Sequence, residues 1–210
     1  MAAITIKTTG IRPFHSDLVG MTIMPLGIDM RMSKDFLPIN LSFSPSRPEN
    51  HITGPAPVVS RAKLVEIIKG GVLPSGARDR FELWYKSLKL KPAKRIIPLV
   101  WDWARMRPFL EDFFGYAKGI PIIDEYFSPE VRSLRDVTTY LNDVSWAQSY
   151  PYPFVFQDNP LSRTITSCDD LYEDPKTTYG ECVNLSIAYR SLIAVKEDMG
   201  RLNVKEEYKL

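Results

Sequence analysis

Apolar and polar positions alternate through the first fifty residues: Ile4 and Ile6, then Val19, Met21 and Ile23, then Ile39, Leu41 and Phe43. A period of two is the mark of half-buried strands, and Gly10, Gly20, Pro25, Gly27 and Pro38 cut the runs short. The pattern predicts a small antiparallel sheet over residues 1–44. From Ser42 to Val58 the chain turns to Pro45, Pro48, Pro55 and Pro57 among Ser, Gly and Asn. These prolines remove backbone donors and hold their neighbours extended, so 45–59 reads as a linker or surface loop.

Beyond Ser60 the period becomes helical. Ser60 is placed to cap a first helix with Leu64, Ile67 and Ile68 as its stripe and Gly70-Gly71 as its stop, and Ala77, Phe81, Trp84 and Leu88 mark a second. Pro98 suits the first turn of a third, whose apolar residues Leu99, Trp103, Met106, Leu110, Phe113, Phe114 and Ala117 fall on one side. Pro108 on its other side predicts a bend or break. A fourth helix is expected from Ser128-Pro129 through Val131, Leu134, Val137, Leu141 and Val144, ended by Tyr150-Pro151-Tyr152-Pro153. The stretch from Val183 fits a strand through Val183, Leu185, Ile187 and Tyr189, or a helix through Leu185, Ala188, Leu192, Val195 and Met199; its length favours helix. The expected fold class is therefore α+β: a β region over 1–44, a Pro-rich crossing over 45–59, and a mainly helical region over 60–210 packed on the strands.

Composition changes this picture little. The 210 residues are 44% hydrophobic and 25% charged, enough to bury a core without disulfides or structural metal. No apolar run approaches the roughly 20 residues that span a bilayer, and residues 1–20 lack the pattern of a secretory signal. An intracellular, cytoplasmic setting is the expectation, with Cys168 and Cys182 as free thiols.

Charge is unevenly spread. The net charge of +2 divides into +3 over 1–77, +5 over 78–118 and −6 over 119–210. Either the halves attract each other within the fold or the basic half faces an anionic partner. The basic stretch holds Arg78, Arg80, Lys86, Lys89, Lys91, Lys94, Arg95 and Arg107, with Trp84, Tyr85, Trp101 and Trp103 between them. Cations neutralise phosphates and exposed aromatics stack on bases, so these eight are the candidate nucleic-acid or anion-binding residues. A second row, Trp101, Arg105, Phe109 and Tyr116, with Asp112 among them, has the composition of a protein-binding face.

Catalytic chemistry is thinly signalled. His15 and His51 are the only histidines, and no phosphate loop, dinucleotide fingerprint or nucleophile elbow is present, so neither a cofactor nor a metal site is expected from motifs. Ser60-Arg61-Ala62-Lys63 matches a Ser-x-x-Lys spacing without its companion motifs. Carboxylates cluster once, at Asp169-Asp170-Leu171-Tyr172-Glu173-Asp174. The reading reached from these residues is a non-catalytic interaction or assembly protein of a virus-encoded kind, contacting RNA or nucleoprotein by its basic loop and protein, or its own copies, by its aromatic row. The alternative is a metal-dependent phosphodiester hydrolase using residues 169–174, since hard cations seek several carboxylate oxygens. A further alternative is peripheral contact with an anionic membrane surface.

Overall fold

A computed structural model of the chain describes residues 1–10, 13, 16–45, 70–137, 177–190 and 193. The fold is α+β, centred on a five-stranded mixed sheet. Three of its strands are those that the alternation predicts: β1 (Ala2–Thr8), β2 (Leu18–Pro25) and β3 (Ile39–Ser42), paired antiparallel in sequence order. Two more extend the sheet beyond β1. These are β4 (Pro98–Val100) and β7 (Arg132–Ser133), both parallel to it, giving the order β3-β2-β1-β4-β7. A separate hairpin joins β5 (Tyr116–Ala117) to β6 (Ile120–Pro121).

β4 and β7 correct two expectations. Pro98 opens a strand instead of a helix. Its missing N–H is tolerated at the strand's first residue, and Leu99 and Val100 are buried on opposite faces, as a central parallel strand requires. Likewise Ser128-Pro129 does not start a helix. Ser128 accepts from the Glu130 N–H at 3.1 Å in a local turn, the Ser128 N–H bonds the Ile96 carbonyl at 2.8 Å, and Arg132 and Ser133 then pair with β4. Ladder formation outweighs the helical spacing of Val131 and Leu134. A helix, α4, begins only at residue 134, and its expected continuation to Val144 lies outside the described residues.

Helices cover both faces. On one lie α1 (Pro74–Ser87), which is the second expected helix, and α2 (Trp103–Phe114), followed by the short α3 (Ile123–Tyr126). Asp102 caps α2 by accepting the Arg105 backbone N–H at 3.2 Å. Gly115 ends it at φ 80°, a conformation that disfavours a side chain. The helix runs unbroken through Pro108. Ile4, Met21, Ile23, Leu41 and Val100 pack here against Phe81, Leu110, Phe113 and Phe114. Phe81 is the hub, with ring centroids 4.8 Å from Phe114 and 4.9 Å from Tyr126.

The opposite face is smaller. Ala3, Met24 and Leu99 meet Leu134 of α4 and Cys182, Leu185 and Ala188 of α5, a helix over 178–190. The helical choice for this stretch holds, because Leu185 and Ala188 share the buried side. The first expected helix, from Ser60, and the Pro-rich stretch fall almost wholly outside the described residues. No described helix is long and apolar enough to cross a membrane.

Candidate functional site

Strand β1 carries apolar residues on one face and polar ones on the other. Ile4 and Ile6 point into the larger core, so Ala3, Thr5 and Lys7 face α5. The β1–β2 register sets Thr5 against Thr22 and Lys7 against Gly20. Over these positions α5 lays Thr178, Glu181 and Cys182, one turn apart on its inner side. Thr5 Oγ1 donates to the Thr178 carbonyl at 2.7 Å, and Thr22 Oγ1 lies 2.6 Å from both Thr178 Oγ1 and Asn40 Oδ1. Lys7 Nζ forms an ion pair with Glu181 Oε1, with both side chains largely covered.

Burial shapes the chemistry of this seam. It raises the Glu181 carboxyl above the ordinary carboxylate range, although the Lys7 ammonium pulls the other way. Burial also pushes the Cys182 thiol up to about 12, so the group is neutral and packs as a small hydrophobe, with Sγ 3.5 Å from the Ala3 carbonyl.

Parallel β1, β4 and β7 end on the same side, the usual location of a ligand crevice in sheets of this kind. Asp102, just past β4, caps α2 and takes Arg135 Nη1 at 2.5 Å; Lys7, near the end of β1, holds Glu181. Both carboxylates are thus matched by a cation of the chain. Among the described residues no group of three or more His, Cys, Asp or Glu is placed to hold a metal ion. These residues do not fit a divalent cation. The donor set that suits one in kind, Asp169, Asp170, Glu173 and Asp174, lies outside the described residues, as do His15, His51, Cys168 and Ser60 to Lys63.

The candidate anion-binding residues divide into two groups. Arg78 Nη1 donates to the Phe113 carbonyl at 3.0 Å, tying α1 to α2. Arg107 holds Glu111 at 2.6 Å and Asp124 at 3.0 Å; burial works against its charge, but these two carboxylates outweigh it and raise its pKa. Both are engaged inside the fold. Lys89, Lys91, Lys94 and Arg95 stand exposed on the loop between α1 and β4, and Arg80 and Lys86 are exposed on α1, Lys86 in its last turn. The interleaved aromatics are not free stacking faces. Trp84, Tyr85 and Trp103 pack on the larger core, Trp101 on the smaller, and Trp84 Nε1 donates to the Leu37 carbonyl at 2.9 Å.

The expected partner row is dispersed. Phe109 is 3% exposed and belongs to the core; Trp101 precedes α2, Tyr116 follows it in β5, and Arg105 and Asp112 remain exposed on the helix. Two terminations account for this: the Asp102 cap and the Gly115 stop shorten the helix at both ends. The seam itself was missed. The alternation of β1 marks Lys7 as facing away from Ile4 and Ile6, but no local pattern links it to Glu181, 174 positions later.

No protein-family model matches the chain, and no curated protein matches it in sequence. Among solved structures it is similar to cell-death related nuclease 4, with a TM-score of 0.59 at 10% identity over 92% of this chain and 63% of that one. It also aligns with exonuclease I from Methylocaldum szegediense at a TM-score of 0.47 and 10% identity, over 72% of this chain and 30% of that one. The chain thus spans less than two thirds of the length of either. The first likeness, over 92% of the chain, corrects the expectation of a non-catalytic, virus-encoded assembly protein and agrees better with the hydrolase alternative. At 10% identity the likeness establishes one thing: this chain shares the fold of cell-death related nuclease 4.

Proposed function

We propose that the protein hydrolyses phosphodiester bonds of nucleic acid. The observation that carries this reading is the extent of the shared fold, 92% of the chain at a TM-score of 0.59 against a nuclease. The chemistry asks for a hard cation, Mg²⁺ or Mn²⁺, which when bound polarises a phosphoryl oxygen and acidifies a water. The side chains assigned to it are Asp169, Asp170, Glu173 and Asp174, four carboxylates within six residues. Glu181 and Asp102 take no part in holding the ion, since each is already paired with a cation of the chain, Lys7 and Arg135. An intracellular setting accompanies this reading, in keeping with the free thiol of Cys182.

The test is cleavage of end-labelled DNA and RNA, single- and double-stranded, by the full chain with Mn²⁺, with Mg²⁺ and with EDTA. Product is expected with metal and not with EDTA, and Asp170→Ala is expected to lower the rate by about 100-fold or more, the scale on which removing one group that holds the reacting charges acts. Mn²⁺ should also raise the melting temperature of the wild type and not of the variant. Absence of product from every substrate with both metals overturns the reading.

A further inference from the structure

We propose that the last turn of α1 and the loop from it to β4 form the surface on which the protein holds the phosphate backbone of its nucleic acid, through Lys86, Lys89, Lys91, Lys94 and Arg95. The inference deepens the hydrolase reading and rests on it for the identity of the polyanion. Its physical basis is separate, beginning with local charge. No Asp or Glu occurs between Glu82 and Asp102, so the five cations share a stretch without an internal counter-charge. Of these five, only Lys86 has an ion pair with a described residue, at 3.6 Å to Glu82, and both groups are exposed, where such pairs are worth little.

The loop is also held in shape. Leu88 and Ile96 are buried at its two ends, while residues 89–95 between them are all exposed. The Lys89 N–H bonds the Lys86 carbonyl at 3.2 Å, the Lys94 N–H bonds the Lys91 carbonyl at 2.9 Å, and the Ile96 N–H bonds the Tyr126 carbonyl at 3.0 Å. Lys89 and Ala93 adopt positive φ, 47° and 63°, which a side chain enters at a cost of about 1 kcal/mol each. Turns of this kind throw successive lysines outward instead of letting them fold back along one helix. Charges fixed in position lose less freedom when they meet a rigid row of phosphates than a flexible tail would.

The same geometry sets what is read. Residues 86–95 contain no aromatic side chain, and the neighbouring Trp84 and Tyr85 pack on the core. Contact is therefore with phosphates and not with bases, so affinity depends on salt and not on sequence. The loop enters β4 at its amino end, opposite the side on which β1, β4 and β7 finish. It positions a strand at a distance from those ends, an effect on binding more than on turnover.

The experiment measures binding by fluorescence anisotropy in EDTA, with labelled duplexes and homopolymer single strands of about 20 nucleotides, between about 50 and 200 mM salt. The proteins are the full-length wild type and the variant Lys89→Ala/Lys91→Ala/Lys94→Ala/Arg95→Ala, whose four sites are all exposed. Five phosphate contacts predict a slope of log affinity on log salt of about −4 to −5 for duplex, falling to about −1 in the variant, with at least about tenfold weaker binding at the lowest salt. In the cleavage assay the variant should raise KM and leave kcat within about twofold. An unchanged slope and affinity, a preference of more than tenfold among homopolymers, or binding to phosphatidylserine vesicles with none to nucleic acid would each overturn the proposal. Cleavage that persists with an unaltered KM sinks the loop while leaving the hydrolase reading intact. Salt-dependent binding lost in the variant, with no cleavage by either protein, sinks the hydrolase reading and leaves the loop.

Discussion

Lys7 and Glu181 form the ion pair with the clearest consequence for stability, because it joins the central strand to a helix from the far end of the chain. Covering Glu181 makes its carboxyl hold a proton more tightly in the folded protein than in the unfolded chain; Lys7 opposes this without cancelling it. Stability from this group is therefore greatest below the ordinary carboxylate range and declines as pH rises through the elevated value, the reverse of an exposed salt-bridged acid. Melting temperatures measured from about pH 4 to 7 should fall more steeply in the wild type than in Glu181→Gln, which cannot titrate. Equal slopes would show that the carboxyl is not shielded. At this scale the sequence is only half readable: the polar side of β1 stands out beside Ile4 and Ile6, whereas its partners on α5 are set by tertiary packing alone.

Among the elements, α2 shows what decides a boundary. Its apolar stripe extends in the sequence from Leu99 to Ala117, yet the helix occupies only Trp103–Phe114, because Asp102 supplies a cap and Gly115 a left-handed stop. Both stop signals are visible in the sequence once the strand at Pro98 is known. Asp102→Ala should cost about 1 kcal/mol through loss of the cap, while Asp102→Asn, which keeps an acceptor, should cost only a few tenths, since Arg135 is mostly exposed. Urea denaturation of both variants checks the ranking; equal losses would place the stability in the Arg135 pair instead. Short strands explain the other misreadings. β4 and β7 have three and two residues, too few to show a period, and exist because a neighbouring strand pairs with them. The longer β1, β2, α1 and α5 carry enough repeats to be recognised.

For the molecule as a whole, one sheet separates two unequal apolar layers, with Phe81 at the centre of the larger and Leu185 within the smaller. Since Ala3 and Ile4 of β1 contribute to different layers, neither can be lost without the strand that serves the other. Phe81→Ala should cost about 3–5 kcal/mol and Leu185→Ala about 2–5 kcal/mol, each in a single transition with an unaltered denaturant slope. A separate early transition in Leu185→Ala would mean that α5 detaches independently. The basic stretch was readable from composition; which of its members are free was not, because Arg78 and Arg107 find partners on elements distant in sequence.

β1, the central strand, precedes its neighbour β4 by about ninety residues. During synthesis β1 and β2 can zip together at once, but the other edge of β1, with its row of unsatisfied amides and carbonyls, stays bare until residue 98 has left the ribosome. At common elongation rates that interval lasts on the order of ten seconds, long enough for one nascent chain to pair with another. Yield from a cell should therefore depend on chaperone supply and growth temperature more steeply than the stability of the finished fold would suggest.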